Sequence, residues 1–279
     1  MAISEPVQAP MTDPLQAIDS VRIQVLGALA ARLSPMTSWE LPRTAQPPTY
    51  DAYLAFLQGT QSWLVGDYAA GAHWFEEAFA QDTTYLRALM WAWAAHMNAG
   101  NQWQVDSLQA ILRARRDHLS RYDQYWLDVY SARTDGNYGA WVTAARGAVE
   151  LNPMGPLRLS LVLALLASNR PGEAREELED WMVELPPSIR RYYALRIHHA
   201  NVLHTVGDYR EELMMARRRR DELPAGELAL AEAEGRARAA LGDLDAFRLL
   251  VAEVEVLDSQ ELLRGRTMAS LAMELRAHG

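Results

Sequence analysis

The sequence predicts an all-α protein built from repeated helix pairs, and three observations predict it. Helix-length segments run into turn residues at Gly66, Gly100, Gly136, Asn169, Gly207, Gly242 and Gly279, at intervals of 34, 36, 33, 38, 35 and 37 residues. A proline stands 17 residues after three of these turns, as Pro153, Pro186 and Pro224. Small or apolar residues recur nine and twelve places after the turn, as in Phe75 and Ala78, Ala145 and Ala148, Ala216, and Val251 and Val254. A fixed period of this length belongs to an array in which each helix pair packs on the next. No strand-like alternation appears.

Taken in order, residues 1–14, with Pro6, Pro10 and Pro14, read as a flexible leader. Residues 15–33 form an amphipathic helix, with Leu15, Ile18, the Arg22 stem, Val25, Leu29 and Leu33 on one stripe after the Thr12-Asp13-Pro14 start signal. Residues 34–50, carrying Pro35, Pro42, Pro47 and Pro48, form a connector. The array follows over 51–279, with repeats at about 52–85, 86–121, 122–154, 155–192, 193–227 and 228–260 and a capping helix at 261–279. The proline leader and the terminal helix leave excision from a longer protein open.

Each recurring residue has a mechanical reason. Glycine adopts the left-handed conformation that ends the first helix without a Cβ penalty. Asp or Asn next to it, as in Gly66-Asp67-Tyr68, Gly136-Asn137-Tyr138 and Gly207-Asp208-Tyr209, caps the second helix. The following aromatic wedges the two helices apart. Positions nine and twelve after the turn share one helical face, and the proline stops the second helix.

Composition bounds the function. Hydrophobic residues make up 49% of the 279, enough for a continuous core, and the net charge of −9 speaks against nucleic acid or anionic membrane as a partner. No apolar run approaches the roughly 20 residues of a membrane-spanning helix, and Met1-Ala-Ile-Ser-Glu-Pro is no secretory signal. A soluble protein is expected, cytoplasmic by preference. The periplasm stays open for a piece of a membrane-anchored protein, and the absence of cysteine suits an oxidising compartment. That absence excludes thiolate nucleophiles and Cys-ligated metals. All 27 basic residues are Arg, which removes Schiff-base and P-loop lysines.

These motifs resemble the tetratricopeptide repeat (TPR) family. Its pattern of about 34 residues carries a small residue in the first helix, Gly-Asp-Tyr at the turn, then Ala, an aromatic, Ala and a closing proline. Gly59, Gly66-Asp67-Tyr68, Gly71, Phe75 and Ala78 match in the first unit. Asn169, Ala174, Leu178 and Pro186 match in the fourth, Gly207-Asp208-Tyr209, Ala216 and Pro224 in the fifth, and Gly235 with Gly242-Asp243 in the sixth. Val105 and Gln109 depart from it in the second unit, as does the polar helix bearing Glu232, Glu234, Arg236 and Arg238. The resemblance implies a right-handed α-solenoid of about six TPR-like helix-turn-helix repeats with N- and C-terminal capping helices. The lead-in Pro47-Pro48-Thr49-Tyr50-Asp51-Ala52-Tyr53 is similar to TPR regions of large bacterial regulatory proteins.

The family register implies that Tyr53, Phe56, Trp63, Met90, Trp126, Tyr130, Asn201, His204 and Arg236 face a concave groove, about half of them solvent-accessible. Large aromatics beside Arg and His suit peptide recognition. Catalytic residues, metal ligands and cofactors are not expected. No His-Glu-x-x-His, Gly-x-Ser-x-Gly or phosphate loop occurs. His73 with Glu77 and His204 with Asp208 are four apart, but two ligands do not make a site. Arg217-Arg218-Arg219-Arg220 reads as a helix C-terminus followed by neutralising Asp221 and Glu222, and Glu173, Glu176, Glu177 and Glu179 as a solvated face.

The function expected is a noncatalytic scaffold for a protein or peptide partner, the sensory or regulatory part of a larger bacterial protein. The alternative is a small-molecule receptor holding its ligand inside the superhelix. An enzyme and a self-assembling scaffold rank below these.

Overall fold

The computed structural model describes Val21, Arg22, Val25 and residues 48–185, 193–220, 227–256 and 261–278. Every regular element named among them is helical. The chain divides into two compact units, Met1–Ala164 and Leu165–Gly279. Of the amphipathic helix expected over 15–33, only Val21, Arg22 and Val25 are described; they are helical and exposed. The leader 1–14, most of the connector, Pro186, Pro224 and Gly279 lie outside the described residues.

The first unit holds α1 (Tyr50–Leu64), α2 (Tyr68–Gln81), α3 (Leu86–Ala99), α4 (Gln102–Ala114), α5 (Arg121–Thr134), α6 (Tyr138–Leu151) and the start of α7 (Leu157–Ala167). Helix α1 packs on α2, α2 on α3, α3 on α4, α4 on α5 and α5 on α6. Helix α3 also packs on α5, so one first helix meets the next, as in a TPR-like array.

The second unit takes the end of α7, then α8 (Pro171–Glu184), α9 (Tyr193–Thr205), α10 (Tyr209–Arg220), α11 (Glu227–Leu241), α12 (Leu244–Val256) and α13 (Glu261–His278). The same rule holds within it: α9 meets both α10 and α11, and α11 meets both α12 and α13. Pro171 opens α8, where its missing N–H costs no hydrogen bond. On α13, Leu271 packs with Ala239 and Phe247, and Met268 packs on Ala231, Leu250 and Val254.

Six of the sequence's turn residues carry the array. Gly66, Gly100, Gly136, Gly207 and Gly242 have φ of 83, 75, 67, 81 and 74°, and Asn169 has φ of 57°. Each is followed by the same backbone bond, a donor N–H reaching five residues back: Asp67 to Ser62, Asn101 to His96, Asn137 to Ala132, Arg170 to Leu165, Asp208 to Leu203 and Asp243 to Arg238, all 2.9–3.0 Å. This is the Schellman closure, which satisfies the last carbonyls of the first helix and requires a left-handed residue. The caps act at Asp67 and Asn137, whose side chains accept from Ala70 and Ala140 at 3.0 and 3.1 Å. Asn101 makes no such side-chain cap. Tyr68 wedges against Trp63, with ring centroids 5.0 Å apart, whereas Tyr138 stands exposed.

The packing face is as tight as its small residues imply. Phe75, Ala78, Ala145, Ala148, Ala216 and Val254 are buried. A methyl group built on Gly59 would lie 2.6 Å from the Phe75 ring, so only glycine lets α1 and α2 approach this closely. No helix among the described residues is long and apolar enough to cross a membrane.

Candidate functional site

The nine residues assigned to a groove separate into two environments, and most of the first group does not face solvent. In the first unit Tyr53, Phe56 and Trp63 of α1, Met90 of α3 and Trp126 of α5 are buried. Trp91 lies at their centre, edge-on to Trp63 at 5.0 Å and to Trp126 at 5.1 Å, and 6.3 Å from Phe56. Every residue from Leu86 to Ala95 is buried, so this stretch of α3 offers no open face. These five groove assignments are therefore corrected to core packing. The physical reason is that aromatics on successive first helices satisfy one another across the layers, and edge-to-face pairs favour that arrangement over exposure.

Tyr130 differs: it is half-buried, stacked on Trp126 at 6.3 Å and tilted against Trp93 at 5.2 Å. Burial raises its pKa, with the nearby Arg133 opposing that shift. Tyr122 is raised further by burial. Arg87 and Asp123 form an enclosed ion pair at 2.6 Å, which ties α3 to α5.

In the second unit Asn201, His204 and Arg236 are half-buried, Arg236 and His204 sharing the Glu212 carboxylate and Arg236 also reaching Asn201. The Arg236 guanidinium donates to Asn201 Oδ1 at 2.9 Å and to Glu212 Oε1 at 2.8 Å. His204 Nδ1 meets Glu212 Oε2 at 2.8 Å. The Glu212 side chain is wholly buried, at 0% exposure, so both of its oxygens are taken by a cationic or N–H partner instead of water. On its other side, His204 Nε2 lies 3.4 Å from Glu274 Oε2, and His278 Nε2 lies 3.5 Å from the same oxygen. Tyr209 completes the wall, its ring 5.2 Å from His204 and 5.8 Å from His278.

Sequence reading missed Glu212, Glu274 and His278. The signal for the last two was present as a Glu-x-x-x-His spacing on α13, four residues apart and hence on one face. Nothing in linear order links them to His204, which reaches them through the stacking of α9, α10, α11 and α13. Of the candidates set aside earlier, His73 and Glu77 are exposed. Arg217 is an exposed side chain 3.9 Å from Glu234, and Arg116 is paired to Asp128 by two bonds of 2.7 and 2.9 Å. His199 is depressed by burial, with Glu179 opposing and Arg175 and Arg196 reinforcing the shift.

The repeated turns and the helix-on-helix order define a TPR-like helical-repeat protein. No family model and no curated protein matches the sequence. Among solved structures, the chain is similar to the TPR domain of P58(IPK), with a TM-score of 0.33 and 10% identity over 81% of this chain and 66% of that one. The chain thus spans just under two thirds of that domain, and the fold assignment stands on the turn geometry.

Proposed function

We propose that the chain is a noncatalytic interaction module whose repeats hold a protein or peptide segment. The observation that carries this reading is the six-fold recurrence of one turn geometry across both units. Such an architecture multiplies helix faces instead of enclosing a single reaction centre. The half-buried residues Tyr130, Asn201, His204 and Arg236 are the contact candidates that remain. Their side chains are held by packing or by partners before any ligand arrives, which lowers the ordering cost of binding. The lead-in to the first repeat supports a place in a larger bacterial regulatory protein, where a bound segment would control an output domain.

Affinity capture with the full chain as bait, repeated with Asn201→Ala and with Tyr130→Ala, tests this. Loss of a captured protein by about tenfold or more in either variant, roughly 1.4 kcal/mol, with helicity retained, supports the reading and assigns the unit that binds. Undiminished capture by both variants, or no specific capture, would overturn it.

A further inference from the structure

We propose that His204, Glu274 and His278 form a binding site for a divalent transition-metal ion, zinc in particular. It shares His204 with the partner reading above but does not rest on it, since its test reads metal binding alone. One donor atom from each residue lies within 4.8 Å of the others. Two imidazole nitrogens and one carboxylate oxygen suit zinc, which takes three protein ligands and leaves a fourth position for water.

The atom arrangement points to a cation in the centre. Glu212, held by Arg236 at 2.8 Å, is an acceptor, so His204 Nδ1 carries the proton of their 2.8 Å bond. With Nδ1 engaged by Glu212, Nε2 is the ring nitrogen left to ligate, and it faces Glu274 Oε2 at 3.4 Å. His278 Nε2 approaches the same oxygen at 3.5 Å. Both separations exceed ordinary hydrogen-bond lengths of about 2.7–3.2 Å. The 3.4 Å separation equals the edge of a tetrahedron with metal–ligand bonds of about 2.0–2.1 Å, roughly 3.3–3.4 Å, and the 3.5 Å separation is slightly longer. A dication between the three donors would draw both imidazoles and the carboxylate into one coordination sphere.

The surroundings are those of a supported site. The Glu212–His204 bond is the carboxylate–histidine relay that fixes a ligand's tautomer and ring plane. The side chains of His204, Glu274 and His278 are 18, 23 and 30% exposed, so the site is shielded yet open to an entering ion. His204 closes the last turn of α9, and Glu274 and His278 lie on the last two turns of α13. A bound ion would therefore pin the terminal helix to the polar interior of its unit.

The test uses the full chain without an affinity tag, stripped with a chelator and titrated with zinc chloride by calorimetry. Cobalt(II) absorption serves as an independent report of tetrahedral coordination. The expected result is one equivalent bound at about micromolar affinity or tighter, with a rise in Tm of about 5 °C in excess metal. His278→Gln and Glu274→Gln, both at partly exposed ligand positions, should keep the helical spectrum and weaken binding by about 100-fold. Glu212→Gln, acting behind His204, should weaken it by about 10–100-fold. His73→Gln, in the other unit, should change nothing. No stoichiometric binding at about 100 µM zinc, or equal binding by wild type and His278→Gln, would overturn the site.

Discussion

The two units use the same turn and the same helix order but fill their interiors differently. The first is filled by aromatic rings: Phe56, Phe75, Trp91, Trp93, Tyr122 and Trp126 are buried, beside the Arg87–Asp123 ion pair. In the described residues, the second buries fewer rings, Trp181 and Phe247 among them, with alanines such as Ala200, Ala216 and Ala233 and the carboxylates of Glu212 and Glu234 in their place. Aromatic burial stabilises through area and shape, whereas a buried carboxylate is tolerated only while its partners hold both oxygens. The comparison teaches that the repeat dictates where helices go and leaves open what lies between them.

The largest expected effect breaks the first unit. Replacing Trp63, Trp126 and Tyr130 together by alanine removes two fully packed indoles at about 3–5 kcal/mol each. That approaches the whole stability of a typical domain, so the helical signal of residues 48–164 should be lost, as read by segment-resolved hydrogen exchange. A triple variant that stays folded and loses only a partner would return these rings to the groove.

A smaller effect sharpens the contrast in the second unit. Arg236→Ala leaves Glu212 buried with His204 alone and should cost about 3–5 kcal/mol in denaturant melts. The double change Glu212→Leu with Arg236→Met should recover most of that loss, because it removes the charge that needs compensation. No recovery would mean that the network holds the helices in ways an apolar filling cannot replace.

The smallest effect concerns pH, and the two units should respond at opposite ends. Tyr122 and Tyr130 are raised by burial above the ordinary tyrosine value of 10.0. The unfolded chain then ionises first, so the first unit keeps its full stability below pH 10 and loses it as the pH rises further. His199 is lowered from the ordinary 6.5 by burial, so the unfolded chain binds that proton first. The second unit should lose stability as the pH falls below 6.5, and His199→Gln should flatten that limb. Denaturant midpoints across pH, followed unit by unit, check both signs.

Much of the array was legible in the chain. Gly66, Gly100, Gly136, Asn169, Gly207 and Gly242 each take the left-handed conformation their spacing implies, and Gly59 sits where Phe75 crosses. Which aromatics are enclosed was not legible. Tyr53, Phe56, Trp63, Met90 and Trp126 have the helical spacing of a binding stripe and of an interlayer core alike, and spacing cannot separate the two.

What the sequence determined by itself is local: where a helix must end, because a left-handed residue closes it, and which small residues let two helices touch. Those constraints act over a few residues and are written in residue type. Tertiary structure alone decided which aromatics are enclosed and that His204 meets Glu274 and His278. Such neighbours come from different helices far apart in the chain. Their meeting depends on the stacking of whole elements, which residue type at any one position does not encode.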